Sequence, residues 1–183
     1  MFGIKGLLYI PDYISSEEET SLIKTINKKK WDNSLSRRVQ HYGYRYDYKA
    51  RKVTADMYLG ELPNWLNDLA LGLKNDGLCE EASDQVIINE YQPGQGISPH
   101  IDCEECFGPR IFSISLGGQV VMQLTQSGKT KTEIFLAPRS LIILYSEARS
   151  VWRHSIPARL KDKGVERRVR ISLTFRNVQK TSW

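Results

Sequence analysis

The sequence predicts an α+β domain in which two helical segments precede a β-sandwich or barrel body. Two observations predict it. Apolar residues recur at helical spacing in two stretches of the first half, and from Val86 onward short strand-like runs follow one another between Gly, Pro and Ser turns. With 183 residues, 40% of them hydrophobic and 26% charged, the chain can bury a core without disulfide staples and reads as one domain.

Leu7-Leu8-Tyr9-Ile10 reads as a strand closed by Pro11-Asp12. Ser15 or Ser16 then caps a helix, with Glu18 or Glu19 completing a capping box and Leu22, Ile23 and Ile26 forming the apolar stripe. Lys28, Lys29 and Lys30 suit its C-terminal end, where the helix dipole favours cations. Pro63 suits the first turn of a second helix carrying Trp65, Leu66, Leu69, Ala70 and Leu73. Strands are expected at 86–88, 111–116, 120–124, 132–136, 141–145, 151–156 and 170–176.

Between the helices lies R-R-V-Q-H-Y-G-Y-R-Y-D-Y-K-A-R-K, residues 37–52. Tyr42, Tyr44, Tyr46 and Tyr48 fall at every second position, so in a strand their rings share one face. Such a face, flanked by cations, can stack bases and meet phosphates. A hairpin whose tyrosines pack on a core and whose cations are solvated meets the same pattern. The net charge of +5 suits a polyanionic partner without requiring one. Three cysteines make no disulfide framework and point to a reducing, intracellular location. No signal-peptide layout opens the chain, and no apolar run is long enough to cross a bilayer, so no membrane partner is expected.

The chemistry concentrates at N-E-Y-Q-P-G-Q-G-I-S-P-H-I-D, residues 89–102. His100 and Asp102 are two apart and point to one side of an extended chain. Together with a second imidazole they make the 2-His-1-carboxylate set of non-haem Fe(II) oxygenases. His41 and His154 are the other histidines, and His154 lies in a late strand-like run, the more rigid place for a ligand. A bare H-x-D is equally met by surface histidines. Segment 170–176 adds weight: Arg170, Ser172, Thr174 and Arg176 share one face and Ile171, Leu173 and Phe175 the other. Inward-facing arginines need anionic partners, and a small dicarboxylate offers two. An edge strand with its polar face in water is the competing reading. Cys103-Glu104-Glu105-Cys106 lacks the second pair that a tetrahedral zinc site needs.

N-x-Y, H-x-D, a distant His and R-x-x-x-x-x-R, spanning about residues 89–176, resemble the AlkB family of Fe(II)/2-oxoglutarate-dependent dioxygenases. The resemblance implies a double-stranded β-helix (jelly-roll) core at about 86–178, covered by helices and a nucleotide-recognition lid at about 1–85. It implies Fe(II) on His100, Asp102 and His154, with Asn89, Tyr91, Arg170, Ser172 and Arg176 lining the 2-oxoglutarate site. It also implies O2 as co-substrate, succinate and CO2 as products, and RNA or single-stranded DNA as the polymer bound; the sequence leaves the oligomeric state open, and a monomer is assumed. Arg38, His41, Tyr42 and Tyr44 in the lid, and Glu105 and Arg149 by position, are the expected substrate contacts. A finer resemblance is to the AlkB homologue that in animals is fused to an RNA-recognition motif and a tRNA methyltransferase and hydroxylates a wobble uridine; R-R-V-Q-H-Y-G-Y, P-G-Q-G-I-x-x-H-I-D and S-x-T-F-R carry it. Repair of N-alkylated bases and tRNA modification are both open within that family. The same chemistry on a protein or small molecule, or a non-catalytic metal-binding β-barrel, are the alternatives.

Overall fold

Strict alternation in the last long strand sorts the molecule into layers. The computed structural model describes residues 3–127 and 130–180. In chain order these form β1 (Leu7–Ile10), α1 (Ser16–Asn27), β2 (Arg38–Tyr42), α2 (Asn64–Asn75), β3 (Gln85–Tyr91) and β4 (Ile97–His100). There follow β5 (Arg110–Gly117), β6 (Val120–Gln126), β7 (Thr130–Leu136), β8 (Leu141–Tyr145), α3 (Ser146–Ser150) and β9 (Arg153–Ile156). A small hairpin, β10 (Lys161–Asp162) and β11 (Val165–Glu166), leads to β12 (Arg170–Arg176).

The large sheet runs β1-β8-β5-β12-β3-β2 and the small sheet β4-β9-β6-β7, with all pairings antiparallel. This is the jelly roll that the resemblance implied, two facing sheets with helices on the outside. β12 is central rather than an edge, hydrogen-bonded to β5 on one side and β3 on the other. Its Ile171, Leu173 and Phe175 join Val86, Ile88, Phe112 and Ile114 on the outer face, where Leu22, Ile26, Leu66, Ala70 and Leu73 of the helices cover them. Its Arg170, Ser172, Thr174 and Arg176 face the interior between the sheets. The α+β expectation holds, and the body is the sandwich it described.

Ser15, not Ser16, caps α1: its Oγ accepts from the Glu18 N–H at 3.1 Å, and the Glu18 carboxylate accepts from the Ser15 N–H at 2.7 Å. Pro63 stands one position before α2, where its missing N–H costs nothing. Sequence periodicity missed α3 and the β10–β11 hairpin, each too short to show a period. It also let the run at 151–156 start too early, since Val151 and Trp152 follow the short α3.

The tyrosine-rich segment departs most from expectation. β2 pairs with β3 only as far as Tyr42, because Gly43 adopts φ +75° and a Cβ there would meet the Asp84 carbonyl oxygen. The four rings therefore do not share one strand face. Tyr42 packs edge-on against Trp65 of α2, Tyr44 is buried and packs against Tyr58, and only Tyr46 and Tyr48 reach the interior cavity.

The helix-to-sheet layer sets a stability test. Leu66 is fully buried in it, so Leu66→Ala is expected to destabilise the protein by about 2–5 kcal/mol. Leu59→Ala, at a side chain 55% exposed, is expected to cost less than about 0.5 kcal/mol. Urea unfolding followed by circular dichroism measures both.

Candidate active site

β4 and β9 pair with His100 opposite His154, which brings the two imidazoles to a centroid separation of 4.2 Å. Gly96 permits this pairing, since a Cβ there would strike the Ile156 carbonyl oxygen. Asp102 lies just past the end of β4 rather than within it, yet its Oδ1 is 3.5 Å from His100 Nε2 and 3.9 Å from His154 Nε2. The three ligand atoms all lie within 4.8 Å of one another, a spacing that can close on one divalent ion. His100 Nδ1 is 2.8 Å from the Ser98 carbonyl oxygen. A carbonyl only accepts, so Nδ1 carries the proton and Nε2 is left with its lone pair toward the site.

The electrostatics keep this donor set in its ligating forms. Burial alone would raise the Asp102 carboxyl, but the adjacent His100 and the positive charge of Arg176 outweigh it and hold the group below the usual carboxylate range. Burial pushes His154 down to about 4, against the pull of Asp102, so its imidazole is neutral at physiological pH.

The three ligands open on a cavity of about 480 Å³ between the sheets. Ile87, Ile111, Met122, Ile142, Leu144 and Ile156 give it apolar walls. Asn89, Tyr91, Arg170, Ser172 and Arg176, the five residues expected around a dicarboxylate, all line it. Arg176 is well held: its Nε donates to Gln85 Oε1 at 3.0 Å, its Nη1 lies 3.4 Å from Asp102 Oδ2, and its guanidinium stacks 3.8 Å from the Phe107 ring centroid. Arg170 is not. It is 3% exposed, its Nη2 donates to Ser115 Oγ at 2.9 Å, and its buried Nε has no partner among the described residues. Burial pushes it down to about 10. An underpaired, buried guanidinium on the cavity wall fits a carboxylate ligand, and the residues present therefore suit both an iron ion and a keto diacid.

The six expected substrate contacts lie off the cavity wall. Arg38 forms a bidentate pair with Glu90 at 2.7 and 2.8 Å and stacks on Trp31. Tyr42 and Tyr44 pack as described above. His41 accepts from the Tyr46 N–H at 3.4 Å and meets the Tyr48 ring edge-on, supporting the two tyrosines that do reach the cavity. Glu105 is exposed on the loop after Asp102. Arg149, 5% exposed, donates to the carbonyls of Asp102 and Cys103 at 2.9 and 3.1 Å, which makes it a strut under the ligand loop. Arg38, His41 and Tyr42 lie in β2 and Tyr44 just past it, so the period-2 reading holds only as far as Tyr42.

The cavity is lined instead by two of the four tyrosines read as a stacking face and by two arginines of the same run that were not singled out. Arg37, Tyr46, Tyr48 and Arg51 line the cavity, and the Arg51 Nη2 reaches the Ile101 carbonyl at 3.2 Å, between two candidate ligands. Nothing in their local pattern separates them from their neighbours. Ser113 and Ser115 could have been found: they alternate with Ile114 and Leu116 in β5 just as Ser172 alternates in β12, and Ser113 Oγ lies 2.8 Å from Ser172 Oγ. Cys103 and Cys106 are joined as a disulfide, which the cysteine count did not anticipate.

Two imidazoles and a carboxylate placed so that they could close on one metal ion, beside an arginine-lined cavity within a jelly roll, are the features of a non-haem oxygenase. A model of the 2OG-Fe(II) oxygenase superfamily matches residues 6–176, and the chain belongs to that family. Within it the chain is of the AlkB type, a 2-oxoglutarate-dependent dioxygenase whose cofactors are Fe(II) and 2-oxoglutarate. It is 34% identical to the "Alkylated DNA repair protein ALKBH8 homolog" of Arabidopsis thaliana, over 97% of this chain and 59% of that protein. It is 35% identical to the "tRNA (carboxymethyluridine(34)-5-O)-methyltransferase alkbh8" of Xenopus tropicalis, over 86% of this chain and 26% of that protein. The chain thus spans only part of these longer relatives. The structure of OsALKBH1 superposes with a TM-score of 0.73 at 16% identity, covering 97% of this chain and 99% of that one. Among the described residues no helix is long and apolar enough to cross a membrane.

His41 sets a pH test outside the ligand set. Burial, with the charge of Arg176 added, lowers it from 6.5 to about 4. The unfolded chain therefore takes up a proton that the folded chain refuses between those values, and stability falls as pH drops from about 6.5 to about 4. Above that window the term vanishes. His41→Gln is expected to make the loss between pH 6.5 and about 4.5 shallower, by up to about 1.4 kcal/mol per pH unit, in urea melts of the metal-free protein.

Proposed function

We propose that this dioxygenase hydroxylates, or oxidatively demethylates, a modified base in nucleic acid, within one AlkB-like domain over residues 1–183. In this reading His100, Asp102 and His154 hold the iron, while Asn89, Tyr91, Arg170, Ser172 and Arg176 hold 2-oxoglutarate. The observation that carries the cofactor assignment is Arg170, buried and underpaired in the same cavity as the His-Asp-His set. With both bound, iron and 2-oxoglutarate activate O2 and oxidise a substrate C–H bond, releasing succinate and CO2.

The protein's own share is positioning and exclusion. Arg170 offers a planar, two-pronged donor for the far carboxylate of the diacid. Arg176, fixed by Gln85 and Phe107, sets the charge and orientation of Asp102. The His100–Ser98 contact fixes one imidazole, and Arg149 holds the carbonyls behind Asp102. The apolar walls limit water around the reacting centre. A nucleic-acid substrate is supported by the net charge of +5, by Arg37, Arg51, Tyr46 and Tyr48 at the cavity, and by what the names of the relatives state of those proteins. A base inside a duplex would have to be flipped out, so loops and single strands are the cheaper substrates.

Two measurements test this. Conversion of 2-oxoglutarate to succinate should require Fe(II) and vanish in His100→Ala, and Arg170→Lys should raise the KM for 2-oxoglutarate by about 10–100-fold because a point charge replaces a two-pronged donor. Mass spectrometry of nucleosides, from methylated oligonucleotides and from tRNA incubated with the enzyme, should find a gain of one oxygen or a loss of a methyl group. Active turnover of 2-oxoglutarate with no nucleoside changed would count against nucleic acid as substrate.

A further inference from the structure

Arg37 immediately precedes β2 and is part-exposed at the cavity. Its Nε donates to Asn89 Oδ1 at 2.8 Å, and its guanidinium carbon lies 5.7 Å from the Tyr48 ring centroid and 5.9 Å from that of Tyr91. One nitrogen and two rings thus fix the side chain. Its two terminal nitrogens have no hydrogen-bond or ion-pair partner among the described residues. The fork is anchored at its root and open at its tip.

The charge around it is one-sided. Arg37, Arg51, Arg170 and Arg176 line the cavity, and Asp102 is the only acidic residue among the lining side chains. A metal dication and a dicarboxylate cofactor cancel each other's charge, so loading the cofactors leaves the arginine excess in place. The buried Arg170 and the part-exposed Arg37 flank the same Tyr91 ring, at 5.6 and 5.9 Å, which separates an inner cation suited to the cofactor from an outer one that the cofactor does not need. A cavity of about 480 Å³ has room for more than a five-carbon acid.

We propose that Arg37 is a specificity-determining residue that recognises an anionic oxygen group of the substrate, presented beside the carbon to be oxidised. The inference rests on the nucleic-acid reading above. That group has two chemical sources, a carboxylate carried on the base itself or the phosphate of the target nucleotide.

The experiment measures binding of oligoribonucleotides to the Fe(II)- and 2-oxoglutarate-loaded protein under anaerobic conditions. Three probes carry uridine, 5-carboxymethyluridine or its neutral methyl ester at one loop position. Arg37→Met keeps the length of the side chain and its packing on Tyr48 and Tyr91 while removing the fork. If the base carboxylate is the partner, Arg37→Met weakens the carboxymethyl probe alone by about 10–100-fold, and Arg37→Lys restores part of the loss. If the phosphate is the partner, all three probes weaken together and the salt dependence of binding falls by about one counterion. Affinity for 2-oxoglutarate, measured in parallel, should stay within about twofold. A matching loss there would make Arg37 part of the cofactor site and overturn the inference. So would unchanged binding of every probe. Failure of the wild-type protein to bind any probe, with 2-oxoglutarate turnover intact, would instead remove the nucleic-acid reading together with this one.

Discussion

Pairing of β12 between β3 and β5 is the constraint on which the molecule depends. A strand in that central position is buried on both faces, and its period of two forces one face into each layer. Ile171, Leu173 and Phe175 become the floor under the helices, and Arg170, Ser172 and Arg176 become the wall of the cavity. A slip of one residue would exchange the faces, sending two arginines into the helix-covered core and three large apolar side chains into the site. Register and chemistry are therefore fixed by the same hydrogen bonds, those that set Ser172 opposite both Asn89 and Ser115.

Three arginines near the site are buried, and the degree to which each is satisfied separates their roles. Arg149 spends its terminal nitrogens on main-chain carbonyls of the ligand loop, which leaves little for a ligand. Arg176 shares itself between Gln85, Asp102 and the Phe107 face, and its charge holds the Asp102 carboxylate ionised. Arg170 has one hydroxyl and a tyrosine ring. Desolvating a guanidinium costs several kcal/mol unless it is paired, so Arg170, the least satisfied of the three, has the most capacity left for an anionic ligand.

How far the sequence could be read follows from the same physics. Segment 170–176 was legible to the residue, because regular alternation is a long-lived signal and the strand obeys it from end to end. His100, Asp102 and His154 were legible as a set because so few histidines exist, although Asp102 reaches the site from beyond the strand and owes its position to the loop held by Arg149 and Arg51. The segment at 37–52, expected to form a lid, was not legible. Its period-2 tyrosines imitate a strand, but one glycine at positive φ ends the pairing after Tyr42, and from there each ring points where the irregular backbone sends it. Arg38 and Arg37 illustrate the cost: neighbours in sequence, one closes an ion pair with Glu90 and the other opens on the cavity.

That division has a consequence for how chemistry and selectivity are built. Two of the three candidate metal ligands, His100 and His154, rest on paired strands, and the third, Asp102, on a loop tied down by Arg149 and Arg51. The mouth rests on a segment held by a few side-chain contacts, among them His41 beneath Tyr46 and Tyr48, and Asn89 beneath Arg37. Asn89 belongs to both, since it lies in register with Ser172 of the cofactor wall and accepts from Arg37 of the mouth. Arg37 lies outside the paired strands and touches them here through one amide side chain, so a change at the entrance can be made while the pairing of β4 with β9 and of β12 with β3 stays intact.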